Sequence, residues 1–522
     1  MRGGADRALV EVRHKTVLSA AVMAGVVMQV LDSTIANVAL PHMQASLGAT
    51  PDSISWVLTS YIIASAMATP VSGWLADRLG MRRLFLLSVG LFVAASVMCG
   101  LAGSIEQMVV FRVIQGIAGA ALGPVGQSIM LNINRPSDHP RAMSLYGTST
   151  MVGPIVGPVL GGWLTDNFDW RWVFLVNLPV GLACLAGLWW LMPRVETARR
   201  PFDLTGWALL ATALAALQLL LDRGEHVDWF ASGECWIEAG LALSAFWMFC
   251  VHTALARRPL YPPAMLGNRN LLLGCFFMFA VAVVQLAGFA LIPSMLQSLL
   301  GYPVLTTGFV LATRGLGVLF SMTIAGRLVH RIGARPLVTL GLILMSYSLW
   351  LTTGWSLDMD SGPVIVSGMV QGVAMGLIFL PLTVMTFSTL PAQLRTDGAG
   401  LMNLSRSTGG SIGIALATVV LSRNAQISHA DLAAHVTPYN LPFDPTLLGG
   451  YGDTGEGLLR LADGAINRQA AMISFLDVFH MMFILSLFAI PLVLLLRGGP
   501  SAPVGARNRP EEDDGTPHLV LD

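Results

Sequence analysis

VLSAAVMAGVVMQVLDSTIANVAL, residues 17–40, is an apolar run long enough to cross a bilayer, and Asp32 is its only ionisable side chain. An Asp near the middle of a membrane helix costs about 2.5–3.5 kcal/mol on insertion scales, so such a residue usually faces a cavity or a partner charge. The competing reading places Asp32 near the helix end, with its carboxylate snorkelling to the interface. The first reading makes Asp32 functional; the second makes it a boundary marker.

The rest of the chain decides the fold class. Of its 522 residues, 54% are hydrophobic and 11% charged, against about 25% charged in a typical soluble domain. Fourteen apolar runs of spanning length follow one another, from 17–40 to 472–496. The expected fold is therefore an all-α integral membrane bundle of 14 spans. Thirty basic residues balance thirty acidic ones, but the basic ones are unevenly placed. Twenty-two fall in the tails and even-numbered loops, five in the odd loops, and Arg112, Arg314 and Arg406 lie inside helices. Such a split predicts that both termini are cytoplasmic. The first run is long and is followed by further spans, so it reads as a membrane helix and not a cleavable signal. The five cysteines lack metal or redox spacing and read as packing residues.

A weak internal repeat divides the bundle. GWLADRLGMRR (73–83) resembles GRLVHRIGARP (326–336), and QGIAGAALGP from Gln115 resembles QGVAMGLIFLP from Gln371. Duplicated halves with a site between them are a recurrent transporter design. The expected organisation is a tail at 1–16, a six-helix half at 17–191, an inserted helix pair at 204–254 and a second six-helix half at 271–496. That second half carries a long extracytoplasmic loop at 422–471. Residues 497–522, polar with an acidic run at Glu511 to Asp514, are expected to be a disordered cytoplasmic tail.

Several chemistries are missing. A phosphate-cradling loop needs Lys before Ser or Thr, and the single Lys is Lys15. No HExxH or CxxC pattern occurs, so no metal site is expected. The one GxSxG match, GGSIG at 409–413, lies in an apolar helix and not on a strand-to-helix elbow. No enzyme activity, cofactor or nucleic-acid partner is expected. Transport driven by an ion gradient or by the solute's own gradient remains.

Depth arithmetic brings two charges to one level. Asp32 lies about 15 residues into helix 1, which places it ~8 Å from the outer face of a ~30 Å core. Helix 4 runs the other way, and Arg112 comes out ~9 Å from that face. A nearby cation favours the ionised acid while burial favours the neutral one, and this competition can couple a proton to a conformational change. Arg112 also reads as a fixed structural counter-ion. Asp477, in the first turns of the last helix with His480 beside it, is either a second proton site or an interfacial acid. Gln29, Asn37, Gln115, Gln285 and Arg406 are candidate substrate contacts, with helix–helix hydrogen bonding the alternative for the amides. In GPIVGPVLGG (153–162), Gly153, Gly157 and Gly161 recur every four residues beside Pro154 and Pro158, forming a groove for close helix approach.

Taken in order, LDSTIANVALP (31–41), GWLADRLGMRR (73–83), FRVIQGIAGAALGP (111–124), GPIVGPVLGG (153–162) and LDRGEHVDWF (221–230) resemble the motifs of the major facilitator superfamily. The resemblance is to its 14-helix drug–proton antiporters of the EmrB/QacA type. It implies an inner-membrane, proton-coupled multidrug exporter of hydrophobic or amphipathic compounds that works by alternating access and needs no cofactor beyond the proton gradient. It assigns proton coupling to Asp32 and Arg112, and an antiporter helix motif to Gly153, Pro154, Gly157, Pro158 and Gly161. Gly73, Asp77, Arg78, Gly80 and Arg82 become a cytoplasmic latch between the halves. Two departures stand out: Met81 occupies a position often basic, and His330 stands where Asp77 stands in the first half. Implied partners are a periplasmic adaptor (EmrA-like) and an outer-membrane channel (TolC-like), with the loop at 422–471 as docking surface. Rival readings are an exporter dedicated to one endogenous metabolite, such as a fatty acid or siderophore, an uncoupled facilitator, and a non-transporting scaffold.

Overall fold

The computed structural model describes residues 9–193, 200–225, 227–436 and 455–495. Its first six long helices are α1 (Lys15–Leu47), α2 (Ser53–Leu79), α3 (Met81–Gly100), α4 (Ile105–Asn132), α5 (His139–Asn167) and α6 (Trp172–Leu191). A pair follows, α7 (Leu204–Arg223) and α8 (Gly233–Leu255). The last six are α9 (Arg269–Ser298), α10 (Val304–Ile332), α11 (Ala334–Thr352), α12 (Gly362–Ser388), α13 (Arg395–His435) and α14 (Gly455–Leu492). Among the described residues there is no strand. Thirteen of these helices are long and apolar enough to cross a membrane. The fourteenth, α5, is 29 residues long and owes its lower hydropathy to its glycines, serines, threonines and prolines.

Local chemistry sets the helix starts. Ser104, Asp203 and Asn268 each accept a hydrogen bond from a backbone N–H three residues on, satisfying a donor that a helix start leaves free. Between α2 and α3 the chain turns at Gly80 with φ +81°, a backbone region costly for any side chain, and Gly333 repeats this turn between α10 and α11 at φ +83°.

The halves meet along two seams. On one side α5 packs between α1 of its own half and α10 of the other. The three motif glycines form the α1 side of this contact. A Cβ on Gly153 would lie 2.6 Å from Val30 Cγ1, one on Gly157 would collide with Thr34, and one on Gly161 would lie 3.3 Å from Ile35. Thr34 Oγ1 donates to the Gly153 carbonyl at 3.1 Å, a bond that such close approach permits. The α10 side reverses the roles: Ile155 and Val159 fit against Gly315 and Gly308. On the other side α2 meets α13 only at one end, where Gly400 faces Ser72 and Thr69. Further along, α2 turns to α7, with Thr59 hydrogen-bonded to Asp222. The glycines of GGSIG have a packing role as well, since a Cβ on Gly409 would lie 2.5 Å from the Phe279 carbonyl of α9.

The segment 422–471 departs from the expected loop. Helix α13 continues to His435 and α14 begins at Gly455, so its described residues are mostly helical. A 41-residue helix is about 60 Å long, twice the ~30 Å core, so α13 projects well beyond the membrane. Polar side chains clamp the projecting pair, with Asn424 donating to Asp477 at 2.9 Å and His429 3.0 Å from Asp463. The Pro- and Gly-rich sequence at 437–454 and the tail at 497–522 lie outside the described residues.

Two glycine variants test the first seam. Gly157→Ala should destabilise the detergent-solubilised protein by about 1–3 kcal/mol, the usual cost of overpacking, whereas Gly90→Ala, where a Cβ meets nothing within 4 Å, should be neutral or slightly stabilising. Equal thermal midpoints for the two would remove the close-approach role.

Candidate functional site

Two helices, α4 and α6, converge on Asp32 of α1. Its Oδ2 accepts from Arg112 Nη1 at 2.6 Å, and its Oδ1 accepts from Gln115 Nε2 and Asn177 Nδ2, each at 2.8 Å. Arg112 and Gln115 are one turn apart on α4, so both reach the same carboxylate, and Arg112 Nη1 also donates to Gln115 Oε1 at 2.8 Å. Asn177, on α6, also donates to Ser96 Oγ on α3. Arg112 Nε donates to the Val57 carbonyl of α2 at 2.9 Å, and its guanidinium lies 4.3 Å from the Tyr61 ring centre and 5.6 Å from that of Phe174. Asp32 is 1% exposed and Arg112 0%. A carboxylate with three donors, one of them a guanidinium, is a compensated buried charge; removing any donor uncovers part of it. Arg112 Nη2 has no partner.

Beside this network a cavity of about 110 Å³ lies between the halves, lined by Gln29 of α1, Ser65 and Thr69 of α2, Tyr146 of α5, and Asn403 and Arg406 of α13. Gln29 is hydrogen-bonded to Tyr61, whose ring stacks on Arg112, so a chain of contacts runs from cavity to ion pair. No acidic side chain lines the cavity, and no ion pair of Arg406 occurs among the described residues.

The latch residues occupy the end of the bundle where α2 meets α13. Asp77 reaches the second half through an intermediary. Arg200, from the segment before α7, binds Asp77 Oδ2 through Nε at 3.2 Å and makes a two-pronged contact with Asp397 of α13, both prongs 2.8 Å. Burial opposes the Arg200 charge, but the hydrogen bonds and charge of Asp397, with Asp77 behind it, hold its pKa above the ordinary value. Gly73 is in direct contact with Asp397, where a Cβ would not fit. Trp74 Nε1 donates to the Arg200 carbonyl, and Arg78 lies over the Trp74 ring. Arg82 remains within its own half, donating to the Trp189 carbonyl at 2.6 Å. Arg395–Asn132 at 3.2 Å and Thr396–Ser128 at 2.9 Å fasten the same end.

The other candidates scatter. Asp477 is exposed on α14, bonded to Asn424, and shares no contact with Asp32 or Arg112. It is far from the first turn of its helix, which begins at Gly455. Asn37 is exposed and does not line the cavity. Gln285 is buried between α9 and α5, with Nε2 4.0 Å from Met151 Sδ, and Gln115 belongs to the ion-pair network. Sequence reading missed Asn177, Tyr61, Asn403, Arg200 and Asp397. A polar residue in the apolar run WVFLVNLPVG was the only trace of Asn177. Among the described residues no cluster of His, Cys, Asp and Glu could hold a metal.

Two facing six-helix halves and an added helix pair among the described residues, with a polar cavity at the seam and a buried ion pair beside it, define a membrane transporter. The sequence profile of the Major Facilitator Superfamily matches residues 22–414, and the chain belongs to that family. It is a multi-pass protein of the inner membrane. It is 36% identical over 79% of its length to the multidrug export protein EmrB of Haemophilus influenzae (82% of that protein), and 35% identical over 87% to EmrB of Escherichia coli K12 (90% of it). It is 33% identical over 90% to the fatty acid resistance protein FarB of Neisseria gonorrhoeae, covering 94% of that protein. Its fold matches the crystal structure of the human organic anion transporter MFSD10 with TM-score 0.58 at 14% identity, over 90% of this chain and 99% of that one. The proton:xylose symporter XylE also gives 0.58, at 12% identity over 92% and 96%.

The Arg200 bridge yields a double-mutant cycle. Arg200→Ala and Asp397→Ala should each destabilise the protein, and together by less than the sum, with a coupling of about 1–2 kcal/mol in thermal or denaturant unfolding. Strict additivity would mean that the bridge holds nothing.

Proposed function

We propose that this protein is a proton-coupled exporter of hydrophobic and amphipathic toxic compounds, working by alternating access between its halves. The observation that carries the reading is the Asp32–Arg112 pair, wholly buried and joined to the cavity through Tyr61 and Gln29. A proton on Asp32 cancels its attraction for Arg112 and frees the guanidinium to move, and a substrate at Gln29 presses on the same chain from the other side. The kinship with multidrug export proteins supports the export direction and the breadth of substrate.

With the arginine-rich end in the cytoplasm, the Arg200 bridge closes the cytoplasmic exit and the conformation faces outward. Helices α13 and α14 then project into the periplasm, a firm prominence on which a periplasmic adaptor leading to an outer-membrane channel can dock. Asp477 lies on the α13–α14 contact and carries no proton in this scheme. A second reading, an exporter dedicated to one fatty-acid-like metabolite, draws support from the similarity to FarB and from the lone cation Arg406 in the cavity.

The test uses purified protein in vesicles with an acidified interior. Adding lipophilic drugs should release protons from the wild type, Asp32→Asn should lower that release at least tenfold in a protein that still unfolds cooperatively though at a lower temperature, and Asp477→Asn should match the wild type. Undiminished flux in Asp32→Asn would leave an uncoupled facilitator; no release with any drug, together with release by a long-chain acid, would select the dedicated exporter.

A further inference from the structure

A wide concave surface lies on the perimeter of the molecule, outside the seam cavity. Helices α7 and α8 form one wall and α9 and α13 the other, enclosing a groove of about 1110 Å³. Leu214, Leu217, Phe246, Phe249 and Phe279 give it an almost wholly apolar surface. It opens to the bilayer, since Leu243 and Leu272 on its rim are exposed. Apolar space beside lipid would by itself indicate only lipid, but two further features mark the groove as a site.

The first is a pair of hydroxyls. Tyr261 is 3% exposed and Thr253 half-buried; both line the groove, and the hydroxyl of each is buried without a hydrogen-bond partner. An unsatisfied buried hydroxyl costs about 1–3 kcal/mol, a cost that a polar head group lying between them would remove. The second is Leu404. Its side chain lines both the groove and the seam cavity, while Arg406, one residue further on from Ser405, lies on the cavity side. The neighbouring α7 covers the stretch where α2 and α13 diverge, so the groove lies directly outside that cleft.

We infer that the groove is a binding site for a long-chain amphipathic acid entering from the bilayer. Its un-ionised head bonds to Tyr261 and Thr253, its chain lies along α7, α8, α9 and α13, and Leu404 is the partition it passes to bring the head to Arg406, where it ionises by giving its proton to water. The order follows from charge. Tyr261 and Thr253 offer only neutral hydrogen bonds, which suit a protonated acid in an apolar groove, whereas the cavity offers a guanidinium and no competing carboxylate. The α7–α8 pair thereby gains a role that the seam between the halves does not require of it. The inference names a substrate class for the exporter reading and rests on it.

The experiment reads binding, so it stands apart from proton coupling. Full-length protein in proteoliposomes is irradiated with a 16-carbon fatty acid carrying a diazirine near its terminal methyl, and the labelled peptides are mapped by mass spectrometry. Label should concentrate on the peptides carrying Leu214, Phe246, Phe279 and Leu404, and excess unlabelled palmitate should cut it at least fivefold. Tyr261→Phe should raise the palmitate concentration needed for half-competition about five- to tenfold. Leu404→Trp should retain groove label yet lower palmitate efflux at least fivefold. Label spread evenly to outward-facing Trp190 and Trp236, or undiminished by palmitate, would mean bulk lipid and overturn the proposal. A phospholipid that co-purifies and that palmitate does not displace would overturn it equally, the groove then being a structural lipid seat. If proton release fails in the previous test while the groove still labels, the coupling reading falls and the site stands.

Discussion

The ion pair between Asp32 and Arg112 is the interaction on which the first half depends. Either group left charged alone in a dry interior carries a desolvation cost of several kcal/mol. Together with Gln115 and Asn177 they draw α1, α4 and α6 to one point, and Asn177 ties in α3 through Ser96. Val57 and Tyr61 add α2. Five of the six helices of that half are therefore arranged around one carboxylate. The sixth, α5, is held against α1 by three missing side chains, since its glycines meet Val30, Thr34 and Ile35 on either side of Asp32.

The second half is built to the same plan without the acid. Arg314 of α10 is 4% exposed, hydrogen-bonded to Gln371 and stacked 4.5 Å from the Phe289 ring centre, and no carboxylate pairs with it among the described residues. Gln371 is the repeat partner of Gln115, and Gly288 lies on the facing surface of α9, where a Cβ would be 3.8 Å from the guanidinium. The amide recurs in both halves while the charges beside it differ. The buried arginine of the first half is balanced by a carboxylate, and that of the second has no such partner among the described residues. A comparable asymmetry marks the latch, where an arginine from the connecting segment joins an acid of each half.

Much of this could be read in the sequence, for definite reasons. Apolar runs announce spanning helices because a bilayer leaves few alternatives for a polar backbone, and the rise per residue is constant enough to place Asp32 and Arg112 at one depth. Helix 5 reads as an apolar run of spanning length although it falls outside the thirteen most hydrophobic helices. What the sequence hid were contacts between distant segments. Arg200 looked like one more positive charge in a loop, and Asp397 like an acid at a helix start. Asn37 and Gln285 failed as cavity candidates because a polar residue in an apolar helix has no sign of which neighbour it faces. The stretch 422–471 reads as loop because its composition is polar, whereas its described parts in α13 and α14 remain helical by pairing with each other after they leave the lipid.

The balance within the first half has an electrical consequence. While the pair is intact, that half carries no net charge at this depth, so the membrane potential exerts little force on it. A proton on Asp32 changes this at once, because Arg112 stays charged and the half becomes a unit cation within the field. One elementary charge crossing 100 mV gains about 2.3 kcal/mol, and a group that moves through half of the field gains roughly 1 kcal/mol. With the interior negative, voltage therefore pulls only the protonated form inward. Under the proposed proton coupling, the hydrogen-bond ring around Asp32 would make the protein a rectifier, indifferent to voltage when empty of its proton and responsive to it when loaded.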